Sequence, residues 1–256
     1  MKKSFFDLPC FLALGFIAMR SVGAAESARA PTIVLISGEF EYESARTLPL
    51  FKQHLETNYG FKCIYLERAK GEDIPGLAAL DSADLAVIFI RRMTLPEEQL
   101  GRIKTYLGSG KPLVGLRTAS HAFENWKEWD HDVLGGNYHN HRGNDLVATV
   151  KLRPEAADHP ILKGVAKEFV AGGSLYLNSP LPSSSTVLLM GSVTDQPAEP
   201  VAWIHSHNGA RVFYTSLGHP KDFENPSFER MLDNAIFWAL DRPAPDTRKT
   251  AEKKAN

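Results

Sequence analysis

Apolar positions fall into short unbroken runs across the first half of the chain and into strand-like pieces broken by turns across the second. Thr32 to Ile36, Phe61 to Leu66, Leu85 to Ile90 and Pro112 to Leu116 are apolar at nearly every position. Runs this continuous predict strands buried on both faces, since a half-exposed strand would alternate. Between them the apolar spacing changes to three and four. Leu48, Phe51 and Leu55 share one helical face, with Pro49 expected in the first turn and Gly60 as the stop. Leu77 and Leu80 mark a short helix or turn. Leu100, Ile103 and Leu107 mark another helix, entered through Thr94-Leu95-Pro96-Glu97 with the spacing of a capping box. Strand and helix in alternation predict an α/β fold, a parallel sheet with helices on both faces.

The second half changes character. Leu146 to Leu152, Ser174 to Leu177, Thr186 to Met190, Val201 to His205 and Val212 to Leu217 are strand-like, with turn signals such as Asn208-Gly209 between some of them. This predicts an antiparallel excursion before the chain returns to the main sheet. The last helix has the clearest pattern of all. Asn225 is its cap, Pro226 its first residue, and Phe228, Met231, Leu232, Ala235, Ile236 and Ala239 its apolar stripe.

Composition narrows the setting. A formal net charge of -1 over 256 residues gives no electrostatic footprint for nucleic acid or for an anionic membrane. The N-terminus departs from the rest: Lys2-Lys3, an apolar run from Phe11 to Met19, then Val22-Gly23-Ala24-Ala25. That order is a secretory signal peptide over residues 1–25, too short to span a membrane, and it implies a secreted or periplasmic protein free of the membrane after cleavage. Cleavage would leave Cys63 alone, without an internal disulfide partner, in a strand where a thiol packs as a small hydrophobe. Residues 30–242 then form the folded domain, and the Lys-rich stretch 243–256 reads as a polar disordered tail.

Chemistry concentrates where the fourth apolar run ends. From Arg117 the chain turns polar, with Thr118, Ser120 and His121, then Trp126 and Trp129, then Tyr138-His139-Asn140-His141; four of the nine histidines (121, 131, 139 and 141) fall here. Ligands of open α/β sheets bind beyond the carboxyl ends of the strands, and this segment would sit there. Gly115-Leu116-Arg117-Thr118-Ala119 has the form of a nucleophile elbow, but an arginine cannot be a nucleophile. Its guanidinium could clamp a carboxylate or sugar hydroxyls, or pair with a buried acid such as Glu39. His219, just past the run ending at Leu217 and close to Asp222, suits a general base, an electrophile or a metal ligand. His139 and His141, two apart in an extended segment, could chelate a divalent metal such as zinc with a third ligand from His121 or His219. A solvated His-rich loop is the plainer account of that pair. Asp158-His159-Pro160 and His205-Ser206-His207 read as structural. The two tryptophans suit either sugar stacking or core packing.

The segments GLRTASHAF, VLGGNYHNH, DHPILKG, RVFYTSLGHPKDF and NAIFWAL together resemble the ThuA-like family, named for trehalose utilisation, across roughly Thr32 to Leu240. The resemblance implies a flavodoxin-like sheet of the class I glutamine amidotransferase kind. Arg117 then stands where that enzyme class has its nucleophilic cysteine, and His219-Pro220 matches the region of its catalytic histidine. Amide transfer is therefore not expected, and the family's link to disaccharide catabolism through keto-sugars becomes the expectation. On that basis His219, His121 and Arg117 are the catalytic candidates, with Glu39, Thr118, Ser120, Tyr138 and Asp222 as substrate-binding candidates. A sugar or glycoside is the expected partner, and a homo-oligomer is left open. The alternatives are a sugar-binding module without catalysis and a metal-dependent hydrolase built on His139 and His141.

Overall fold

The structure is a computed structural model that describes Met1 and residues 29–245, so the expected signal peptide and all but the first residues of the expected tail lie outside the described residues. Eleven strands are present among them: β1 (Thr32–Gly38), β2 (Lys62–Glu67), β3 (Leu85–Ile90), β4 (Leu113–Leu116), β5 (Asn140–His141), β6 (Thr149–Leu152), β7 (Glu168–Val170), β8 (Tyr176–Leu177), β9 (Thr186–Ser192), β10 (Glu199–His207) and β11 (Ala210–Thr215). Three α-helices accompany them: α1 (Ser44–Tyr59), α2 (Glu97–Gly108) and α3 (Pro226–Ala239).

Nine strands form one sheet in the order β2-β1-β3-β4-β11-β10-β9-β6-β7. From β2 to β11 every pairing is parallel; from β11 to β7 every pairing is antiparallel. The expected parallel sheet and its antiparallel excursion are thus one continuous sheet. Its parallel half has the 2-1-3-4-5 order of flavodoxin-like folds, with β11 as the fifth strand.

The unbroken apolar runs have a simple cause. Along β1, Ile33 and Leu35 pack into one core with α1 and α3, while Val34 and Ile36 pack into a second core with α2 and the short helix Leu77–Ser82. Both sides of the strand are covered, so neither set of positions is polar.

Three local expectations are corrected. Helix α1 begins at Ser44, so Pro49 lies in its second turn, and the N-terminus is capped from outside by Glu39. Thr94 caps nothing: Pro96 is the N-cap of α2, and the Thr94 N–H donates to Glu72. Strand β7, unforeseen, is a three-residue edge strand. Asn225 does cap α3, accepting the Ser227 N–H at 2.9 Å. Cys63 is buried, and burial pushes its thiol up to about 12, as an inert packing residue requires.

Candidate functional site

Because β1, β3, β4 and β11 are parallel, their carboxyl ends share one edge. Glu39 follows β1, Arg91 and Arg92 follow β3, Arg117 to His121 follow β4, and Ser216 to Asp222 follow β11. The excursion returns through Gly172, Gly173 and Ser174 to lie against this edge.

Arg117 occupies the elbow in a left-handed conformation, φ 42°, and Tyr214 Oη donates to its carbonyl at 2.6 Å. The guanidinium is 1% exposed. It lies between the rings of Tyr42 and Tyr176, 4.0 and 4.6 Å from their centroids, and donates to Ser216 O at 2.8 Å and Ser174 Oγ at 3.2 Å. This corrects two expectations. Arg117 is not open to clamp a substrate, and it does not pair with Glu39, whose oxygens accept the N–H groups of Tyr42 and Ser44. Among the described residues no carboxylate lies within ion-pair distance of it. Burial lowers its pKa, but the tyrosines and Asp222 outweigh that and raise it, so the charge persists.

His219 is half-buried on the same edge. A side chain at Gly173 would put its Cβ 2.8 Å from Arg117 Nη2 and 3.0 Å from His219 Cβ, so the excursion can pass between the two only as glycine. Arg117 and His219 are therefore neighbours, as the topology implies. Asp222 holds the loop: it accepts the N–H groups of Gly172, Gly218 and His219 at 2.6, 2.8 and 2.9 Å. Its lone pairs and those of Glu39 are spent on backbone, so both position the site.

The hydrogen bonds fix the tautomer of one of the two histidines. Lys221 N–H donates to His219 Nδ1, so the proton of neutral His219 sits on Nε2. Ser120 Oγ lies 3.3 Å from Arg117 O and 3.0 Å from His121 Nδ1, a contact in which either atom can donate. His121 stacks on Tyr138, ring centroids 4.5 Å apart. Burial first, then Arg92, Arg91 and Arg117, push His121 down to about 3. Burial and Arg117 likewise lower His219. Both rings are neutral at physiological pH.

The remaining candidates separate. Thr118 is fully buried with Oγ1 unpartnered. Tyr138 is half-buried, its N–H bonded to Asp130 Oδ2 at 2.7 Å. Trp129 belongs to the core, donating to Ala119 O, and Trp126 packs beside it under Lys104. The exposed rings of His139 and His141 are bonded through Nδ1 to Asn137 O and Arg142 O. The expected third ligand from His121 or His219 is not assembled with them. Among the described residues, the group of three ligand atoms within 4.8 Å is His54, Glu229 and Asp233, where His54 and Tyr59 of α1 bond Asp233 of α3. The His139–His141 pair thus does not fit a zinc site as the chain is arranged. A groove of about 140 Å³ also lies between α1 and α3, beside the strand-end edge at Pro220.

Tyr42 and Tyr176 escaped the sequence reading. Tyr42 comes from the loop before α1 and Tyr176 from β8, both far in sequence from Arg117, and only the fold brings them to its faces.

Asp130 yields a stability prediction. The residue is half-buried, its Oδ1 is buried without a partner, and desolvation raises its pKa to about 7. A carboxyl raised from 3.8 to about 7 costs nothing below pH 3.8 and weakens the fold progressively as pH rises to about 7. Asp130→Asn, which can still accept the Tyr138 N–H, should stabilise the protein at pH 8 by about 2–4 kcal/mol and hardly at all at pH 3.5. Urea midpoints at the two pH values check this; an equal shift at both would contradict it.

An α/β protein with a 2-1-3-4-5 parallel half, and an arginine at the elbow between two histidine-bearing loops, is the class these features define. The chain belongs to the ThuA family, described as trehalose utilisation, which it matches over residues 33–239. That description points to a sugar-related role. Among solved structures it resembles a ThuA-like protein from Bacteroides uniformis ATCC 8492, with TM-score 0.66, 19% identity, and coverage of 86% of this chain and 96% of that one. A ThuA-like protein from Parabacteroides merdae ATCC 43184 is similar, with TM-score 0.67, 17% identity, and 86% and 93% coverage. The β-galactosidase of Rahnella sp. R3 contains the same fold over 32% of its length, matching 84% of this chain at 13% identity and TM-score 0.58. These identities speak for fold alone. No curated protein matched.

Proposed function

We propose that this protein carries out acid/base chemistry on a carbonyl-bearing, oxidised sugar or glycoside, by isomerisation or eliminative cleavage. The observation that carries the reading is a pair of neutral histidines on one strand-end edge, His219 with its proton on Nε2 and His121 held unprotonated beside Tyr138. His121 takes the proton from the carbon beside the carbonyl. The C–H pair forms the enediolate, whose oxygen receives a hydrogen bond, then the proton, from His219. In the eliminative branch the pair instead expels the glycosidic oxygen at the next carbon. Tyr138, half-buried beside His121, supplies the aromatic surface that the tryptophans do not. Arg117 acts from beneath as a fixed positive charge. Amide transfer has no nucleophile here. Export, read from Lys2-Lys3 and the apolar run that follows, is part of the proposal.

The test is solvent exchange. A 3-keto-glucoside incubated with the protein in D2O should take up deuterium beside the carbonyl, read by NMR. Binding without exchange or product would favour the non-catalytic module; neither binding nor exchange would end the sugar reading.

A further inference from the structure

We propose that the sugar taken by this edge carries a carboxylate, held over the His121–Tyr138 stack by Arg92. The inference rests on the sugar reading above and narrows its substrate class.

Arg92 follows β3 in a left-handed conformation, φ 47°, and its N–H donates to His121 O at 2.8 Å. A left-handed backbone at a residue other than glycine costs of the order of 1 kcal/mol and persists where the surroundings impose it. Here it fixes an exposed arginine beside His121. Its neighbour Arg91 is balanced by Glu41 at 3.0 Å, whereas the Arg92 side chain has no ion pair or hydrogen bond among the described residues.

The groups beneath it are unmet as well: Arg117 has an unpartnered Nε, and the adjacent Thr118 Oγ1 is buried and unpartnered. The carboxylates of this edge answer the other two arginines, Glu41 pairing with Arg91 and Asp222 offsetting Arg117. Among the described residues that leaves Arg92 as the arginine without a partner beside the His121–Tyr138 stack, which feels its charge. A neutral hexose would leave Arg92 unpaired; a sugar acid would pair it.

The same anion would serve the chemistry. His121 at rest is a weak base, held down by burial and by those three arginines. A carboxylate among them removes part of that depression only while the substrate is present.

Calorimetry on the full chain at low salt tests the inference, with D-glucuronate, glucose 6-phosphate and methyl α-D-glucoside as probes. Glucuronate should bind at least about tenfold more tightly than the neutral glycoside, the scale of one charge-assisted contact. That preference should vanish in Arg92→Gln and survive in Arg92→Lys, which keeps the charge and the same backbone demand. Equal binding of the acid and the neutral glycoside, or a preference intact in Arg92→Gln, overturns the inference and leaves the sugar reading standing. Tighter binding of glucose 6-phosphate than of glucuronate overturns the carboxylate in favour of a phosphate. Binding of none of the three overturns this inference and the sugar reading together.

Discussion

Arg117→Ala should destabilise the protein by about 3–5 kcal/mol, a loss set by the hydrogen bonds and the packing removed together. The guanidinium fills the gap between Tyr42 and Tyr176 and bonds Ser216 O and Ser174 Oγ. Alanine leaves both oxygens without those donors and a void between two rings. The expectation from sequence, a guanidinium open to clamp a substrate, gives way because the side chain is 1% exposed. For a domain of this size the change corresponds to roughly 10 °C in melting temperature. Arg117→Met separates the contributions: it keeps most of the packing and loses the hydrogen bonds, so it should fall between alanine and wild type. Urea melts of the three proteins decide it. A shift below about 1 kcal/mol for alanine would mean that the tyrosines close over the gap without cost.

Much of this architecture was legible because both faces of the parallel strands are covered. Ile33 and Leu35 face one core, Val34 and Ile36 the other, and the result is a run that no amphipathic helix would show. Helix α3 was equally plain, since Asn225, Pro226 and the apolar stripe all mark the same start. Strand β7 was not legible: it is three residues long at the sheet edge, with two of the three exposed. Thr94 misled because a capping-box spacing says nothing about whether the threonine faces the helix, and Pro96 took the position.

The site was legible by topology and not by contact. That Arg117 and His219 share an edge follows from β4 and β11 being parallel neighbours, which strand-end polarity anticipates. What each does there depends on partners outside any local motif. Glu39 and Asp222 looked like ligand carboxylates, but backbone N–H groups a few residues or half a domain away claim their oxygens. For Trp126 and Trp129 the sequence left sugar stacking and core packing open, and the π-helical turn Trp129–Leu134 carries Trp129 into the core.

His121→Ala should lower turnover of the sugar substrate by about 10²–10⁴-fold, the usual contribution of a positioned base. His219→Ala should cost a similar factor. The double variant should cost little more than either single one, because the two groups act as a unit on one enolisation step. The pH profile distinguishes this from a structural role. With His121 held down to about 3 and His219 also lowered, both rings in the free protein protonate below the usual histidine range. The acid limb of kcat/KM should therefore lie below pH 6.5. The limb of kcat should lie higher, since a bound anion relieves the arginine field on His121. Stability follows the same sign. A histidine with a depressed folded pKa contributes its full stability above pH 6.5 and loses it as pH falls toward 3. His121→Phe, which keeps a ring against Tyr138, should be inactive yet less sensitive to acid than wild type. Turnover within about threefold of wild type in His121→Ala, with both limbs unmoved, would take His121 out of the chemistry and leave it a packing residue under Tyr138.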